Sequence, residues 1–176
     1  MIAYRKLRQE EIDRALFAQF HRKQEVTKCW RKVEGQWVIK DIAFVDDWSE
    51  EDYAFLVSCL KNTLATKGLV AGAFYDGSLK GFVSVEAARF GSKLQYMDLT
   101  SLHVSEDMRR KGIGKDLFRI AREYAKEQGA EKLYISAHSA LESQAFYRSV
   151  GCVEAEEYNP AHVEQEPCDC QLECKL

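Results

Sequence analysis

The stretch Val104–Gly129, VSEDMRRKGIGKDLFRIAREYAKEQG, constrains the fold more than any other part of the chain. Ile113, Leu117, Ile120, Ala121 and Tyr124 recur at helical spacing, and Lys115, Asp116, Arg119, Arg122, Glu123 and Lys126 fall on the opposite side. The segment from about Gly112 is therefore an amphipathic helix that needs an apolar surface to lie on. Strand signals on both sides supply one. LVAGAFYDGSLKGFVSVEAARF reads as two strands turning at Asp76-Gly77, SKLQYMDLTSLHV as a third, and EKLYISAH as a fourth. SALESQAFYRSVG reads as a helix from Ser139 to Gly151, CVEAEEYN as a strand, NPAHVEQEP as a loop and CDCQLECKL as a terminal strand. Antiparallel strands followed by alternating strands and helices predict an α/β or α+β domain around a mixed central sheet.

The N-terminal third adds a short strand at Ile2–Leu7 and a helix-like segment in which Ile12, Leu16, Phe17 and Phe20 recur. VTKCWRKVEGQWVIKDIAFVDDW reads as a hairpin about Glu34-Gly35, with Trp30 and Trp37 as cross-strand neighbours. A second helix starts at a Ser49 cap, with Asp52 three residues on, and ends at Gly68. The 176 residues predict one domain, 1–176. A net charge of −3 argues against a nucleic-acid partner, and no apolar run approaches the ~20 residues of a membrane span. Without a signal-peptide pattern at the start, the expectation is a cytoplasmic protein whose six cysteines are free thiols. Cys168, Cys170 and Cys174 lack zinc spacing, so no metal is expected.

Arg109, Arg110, Lys111, Gly112, Ile113, Gly114 and Lys115 form a basic, glycine-rich start to the amphipathic helix. A helix N-terminus leaves backbone N–H groups unpartnered and partially positive, which suits an anion. The added side-chain charge suits several phosphates. The alternative is a glycine turn with surface charge. A Walker loop is excluded because Arg109 stands at its first glycine and Asp116 at its Ser/Thr; a dinucleotide fingerprint is excluded by Leu117.

RRKGIG, Arg109–Gly114, resembles the R/Q-x-x-G-x-G/A loop of the GNAT superfamily of N-acetyltransferases, and ESQAFYRSVGC, Glu142–Cys152, resembles that family's A-x-x-F-Y-x-x-x-G-F helix. The pairing is more specific than either half, and the likeness runs over roughly residues 79–153, fading in the N-terminal third. Ser143 departs from the usual Ala, Ala140 from Asn and Cys152 from Phe. The resemblance implies a sheet of about seven strands, splayed in the middle, with acetyl-coenzyme A as co-substrate. Leu102, His103 and Val104 would pair with it through their backbone, the 109–115 loop would hold its phosphates, and Ser143 and Phe146 would line its path. The N-terminal third would form the acceptor side, with a homodimer left open.

Acetyl transfer needs a proton acceptor for the amine, a polarised carbonyl and help for the departing thiolate. By resemblance, Tyr147 is the general acid. Asp98 is the first choice of base, ahead of Glu86, His103 and water. Glu154, Glu156, Glu157, Glu164, Glu166 and Asp169 suggest a cationic acceptor, although such runs are usually solvated faces. The expected activity is transfer of an acetyl group to a primary amine of a small molecule or peptide. A non-catalytic acyl-coenzyme A sensor and a protein Lys or N-terminal acetyltransferase are the alternatives.

Overall fold

A computed structural model describes residues 1–176. Asp76 and Gly77 both have positive φ, +51° and +78°, as the tight turn between β4 (Leu69–Tyr75) and β5 (Ser78–Phe90) requires. From that hairpin the sheet extends to β1 (Ala3–Lys6) on one side and β6 (Tyr96–Val104) on the other. Beyond β6 come β7 (Lys132–Ala137), β9 (Cys170–Lys175) and β8 (Val153–Glu154), giving the order β1-β4-β5-β6-β7-β9-β8. Every neighbouring pair is antiparallel except β6 and β7. The expected mixed sheet of about seven strands is thus present.

The two faces of β4 and β5 carry different halves of the core. Val70 and Phe82 face α1 (Glu50–Ala65), meeting Tyr53, Leu56 and Leu60. Ala71, Val83 and Val85 face the other way, toward Leu117, Phe118, Ala121 and Ala125 of α2 (Ile113–Glu127). Leu117 is fully buried, so truncating it to alanine would cost about 2–5 kcal/mol. Ser49 caps α1 in a reciprocal box with Asp52, as its spacing suggests. No helix is long and apolar enough to cross a membrane.

Four sequence expectations are corrected. The segment after β1 is not one helix but two short 3₁₀ turns, Gln9–Glu11 and Arg14–Phe17, because Asp13 takes an extended conformation and accepts from Leu16 N. Its apolar residues still reach the core: Ile12, Phe17 and Phe20 are buried. At the end of α1 the left-handed residue is Lys67 (φ +69°), not Gly68. Gly68 is needed for closeness instead, since a Cβ there would lie 2.5 Å from the Val85 carbonyl oxygen. CVEAEEYN yields only the two-residue β8, and NPAHVEQEP contains α4 (Pro160–Gln165), capped by Asn159 and started by Pro160.

β2 (Lys23–Val33) and β3 (Gln36–Asp47) form a separate two-stranded ribbon. Trp30 pairs with Ile39 and Trp37 with Lys32, so the two indoles are diagonal rather than direct neighbours. The ribbon is tied down at α3 (Leu141–Ser149): Trp30 N donates to Ser139 O at 2.9 Å, and Cys29 bridges to Ala140. None of the six cysteines is paired with another in a disulfide.

Candidate active site

β6 and β7 pair only at Tyr96–Lys132, Met97–Leu133 and Asp98–Tyr134. β6 then stays with β5, across a bulge at Ser84/Val85, while β7 stays with β9. The strands fork, and the fork opens into a cleft of about 860 Å³. Beyond Asp98 the edge of β6 facing β7 has no strand partner. Leu102, His103 and Val104 line the cleft at this edge.

The basic loop closes one end of the cleft. Arg110 and Gly112 take left-handed conformations, φ +63° and +82°, which turn the chain into α2. The first α-helical bond runs from Asp116 N to Gly112 O, so the amides of Ile113, Gly114 and Lys115 have no helical partner. A Cβ built at Gly112 meets nothing within 4 Å, so the backbone there is openly approachable. Gly114 has a different reason to be glycine: its Cβ would stand 3.0 Å from the Phe146 ring. Arg109 turns back, its Nε donating to Val104 O at 3.3 Å, and burial lowers its pKa. Arg110 and Lys115 are exposed on the cleft lining; Lys111 is not on it and lies 3.8 Å from Met108 Sδ. Loop amides, an open glycine and free cations together fit a polyphosphate.

Ser143, Phe146 and Tyr147 of α3 form a second wall. Gln24 Nε2 donates to Ser143 Oγ at 3.4 Å, so the start of β2 reaches across the cleft. Tyr147 is buried between Phe146 and Phe118, with ring centroids 5.1 and 6.4 Å away. Its hydroxyl has no hydrogen-bond partner in the protein yet is not sealed from solvent, which leaves it open to the cleft. Burial raises its pKa, with the charges of Cys152 and Asp169 adding to the effect, so the phenol stays protonated at neutral pH.

The candidate bases are placed differently. Asp98 is not on the cleft lining: its Oδ2 lies 2.5 Å from His162 Nε2 on α4, and its Oδ1 is sealed without a partner. Glu86 is outside it as well, bonded to Thr63 Oγ1 at 2.5 Å. The His103 ring packs 4.8 Å from Trp48 and accepts at Nδ1 from Arg22 Nε. Burial, with Arg22 and Arg109 nearby, pushes its pKa down to about 3, too low to take an amine proton. The acidic residues of the C-terminal region also miss the cleft lining; Glu154 pairs with Lys32 and Glu156 with Lys132.

Sequence reasoning missed several residues that line the cleft. Arg22 comes from just before β2, Gln24 and Glu25 from its start, Thr100 and Ser101 from β6, Ser136 from the end of β7 and His138 from just after it. Ser136 was legible in part, as the polar residue between Ile135 and Ala137 at a strand's end. No group of three or more His, Cys, Asp or Glu side chains is placed to hold a metal.

The family model described as Acetyltransferase (GNAT) family matches residues 30–152. A comparison with curated proteins finds no match. Among solved structures, nourseothricin acetyltransferase superposes with a TM-score of 0.71 at 15% identity, covering 99% of this chain and 98% of that one. A Bacillus anthracis protein assigned as a streptothricin acetyltransferase, in complex with acetyl coenzyme A, gives 0.73 at 13%, covering 100% and 99%. The PaiA N-acetyltransferase of Thermoplasma acidophilum, in complex with coenzyme A, gives 0.62 at 18%, covering 100% and 99%. At these identities the structural likeness is one of fold.

Proposed function

This chain belongs to the acetyltransferase (GNAT) family, and from that premise we propose that it moves an acetyl group from acetyl-coenzyme A to a primary amine by direct attack. The thioester supplies the activated acetyl group; the chain's residues bind, orient and move protons. The amides of Ile113, Gly114 and Lys115, with Arg110 and Lys115 beside them, hold the phosphates. The unpartnered edge of β6 at Leu102, His103 and Val104 takes the extended pantetheine as an added strand, and Ser143 and Phe146 bound its other side.

One observation carries the reading: Tyr147 presents a protonated, unpartnered hydroxyl to a cleft whose far end is an anion cradle. That phenol is the proton donor to the departing thiolate. A module that only bound the nucleotide would need no such group. The ribbon supports a small acceptor over a long peptide, since the Gln24–Ser143 contact and the Cys29–Ala140 bridge close the cleft along one side. The test is loss of thioester absorbance with acetyl-coenzyme A across a panel of small amines and lysine peptides. Turnover with small amines that peptides do not match is the expected result, and no turnover with any amine would defeat the reading.

A further inference from the structure

Asp98 and Glu86 are committed elsewhere and His103 is held neutral, which leaves water or another side chain to accept the amine proton. Ser136 lies on β7 two residues past Tyr134, where the strands fork, and it lines the cleft. Its hydroxyl is bonded on two sides. Ser136 Oγ is 3.1 Å from Asp169 Oδ2, a carboxylate that can only accept, so the serine proton points there. Gln171 Nε2 donates to the same oxygen at 3.1 Å. The orientation of that amide is fixed by Tyr134, whose hydroxyl donates to Gln171 Oε1 while accepting from Asn159 N at 2.9 Å. A hydroxyl has one proton and two lone pairs. One lone pair of Ser136 is therefore left over, on a residue of the cleft wall.

Asp169 is buried enough that desolvation raises its pKa, and its carboxylate makes no side-chain hydrogen bond other than the one to Ser136. The hydrogen bond from Ser136 opposes this, Glu166 just past α4 raises it further, and His138 after β7 and His162 on α4 lower it. Tyr147 on α3 and Cys170 on β9 feel the Asp169 charge, and the charges of Arg31 and Arg148 oppose it at Cys170. Ser136 and the proposed proton donor both line the cleft, and Asp169 stands behind Ser136, off the lining.

We propose that Ser136 and Asp169 form the proton-accepting pair of the transfer, with Ser136 Oγ touching the amine and Asp169 acting through it as a positioning and proton-storing residue. The assignment rests on the acetyltransferase reading above. The amine lone pair forms the N–C bond to the acetyl carbon, and the C–S electron pair leaves with sulfur. The amine N–H proton passes to Ser136 Oγ as the serine proton passes to Asp169, while Tyr147 protonates the thiolate. Asp169 then loses its proton to solvent and Tyr147 regains one, so amine and thioester have become amide and thiol.

The test measures kcat against pH, with an amine accepted by the wild type, for Asp169→Asn, Ser136→Ala, the double variant and Asp169→Glu. Asp169→Asn is expected to lower kcat by about 10²–10⁴-fold and to remove the acidic limb, with KM for acetyl-coenzyme A unchanged. Ser136→Ala is expected to fall comparably, the double variant no further, and Asp169→Glu to recover part of the rate. A wild-type rate and acidic limb in Asp169→Asn, or losses that multiply in the double variant, overturn the pair. Ser136→Ala removes one oxygen and leaves the strand intact, so if Asp169→Asn does not fold, Ser136→Ala decides alone: a wild-type rate overturns the proposal. Wild type inactive with every amine defeats the acetyl-transfer reading and this inference together, whereas active wild type with unaffected variants defeats the inference alone.

Discussion

The end of the cleft proposed to hold the phosphates is made by consecutive residues, Arg109 to Lys115, whose free main-chain amides would do most of the binding. The end where protons would move draws Tyr147 from α3, Ser136 from β7 and Asp169 and Gln171 from the segment containing β9. Ser136 and Asp169 are 33 residues apart in the chain. An anion cradle can be written into one loop because backbone geometry supplies it. A proton path depends on strand register and hydroxyl orientation, so it exists only once the sheet is assembled. The two ends should therefore respond separately to mutation.

The largest expected effect is at Tyr147. Tyr147→Phe keeps the ring between Phe118 and Phe146 but removes the hydroxyl, so kcat should fall about 10²–10⁴-fold while acetyl-coenzyme A binding by calorimetry is unchanged. Weakened binding in that variant would break the division. At the other end, Gly112→Asp puts a side chain and a negative charge where only open space is found, at a positive φ. The stabilisation that acetyl-coenzyme A gives the wild type, about 2.7 kcal/mol at a concentration of 100 Kd, should largely disappear from the melting curve. A full shift in the mutant would mean that the phosphates lie elsewhere.

Asp98 offers a sharper contrast, because it looked catalytic and is placed as a strut. Asp98→Asn should cost about 1–3 kcal/mol of stability through the lost His162 contact, with the pH profile of kcat unmoved. Asp98 raises the His162 pKa above its ordinary value of about 6.5, so the pair stabilises fully below that value. The contribution is lost as pH rises through the folded-state pKa. Melting temperatures measured across this range should show that loss in wild type and lack it in the variant. A pH profile shifted by Asp98→Asn would restore Asp98 as a base. The smallest effect serves as a control: Ser49→Ala, remote from the cleft, should cost about 1 kcal/mol by urea denaturation and leave kcat alone.

Local signals were legible. The Asp76-Gly77 turn, the Ser49 box, the amphipathic α2 and the basic loop each depend on residues within one turn or one helix, and each lies where its pattern predicts. The Asn159-Pro160 start of α4 carried a signal of the same kind that the reading passed over. The segment around Asp13 misled because Ile12, Phe17 and Phe20 satisfy helical spacing while the chain reaches the core in two separate turns. Asp98 misled for a deeper reason. Its strand was read correctly, but the α4 histidine that claims it lies 64 residues away, and no spacing rule reports such a partner.

β9 lies between β7 and β8 in the sheet, although it follows both in the chain. The edge of β7 that carries Ser136 therefore stays bare until residues 170–175 have been made. On a ribosome adding about 5–20 residues each second, the anion cradle emerges seconds before the strand that completes the opposite end of the cleft. A nascent chain stalled just short of β9 should already recognise coenzyme A yet turn over nothing.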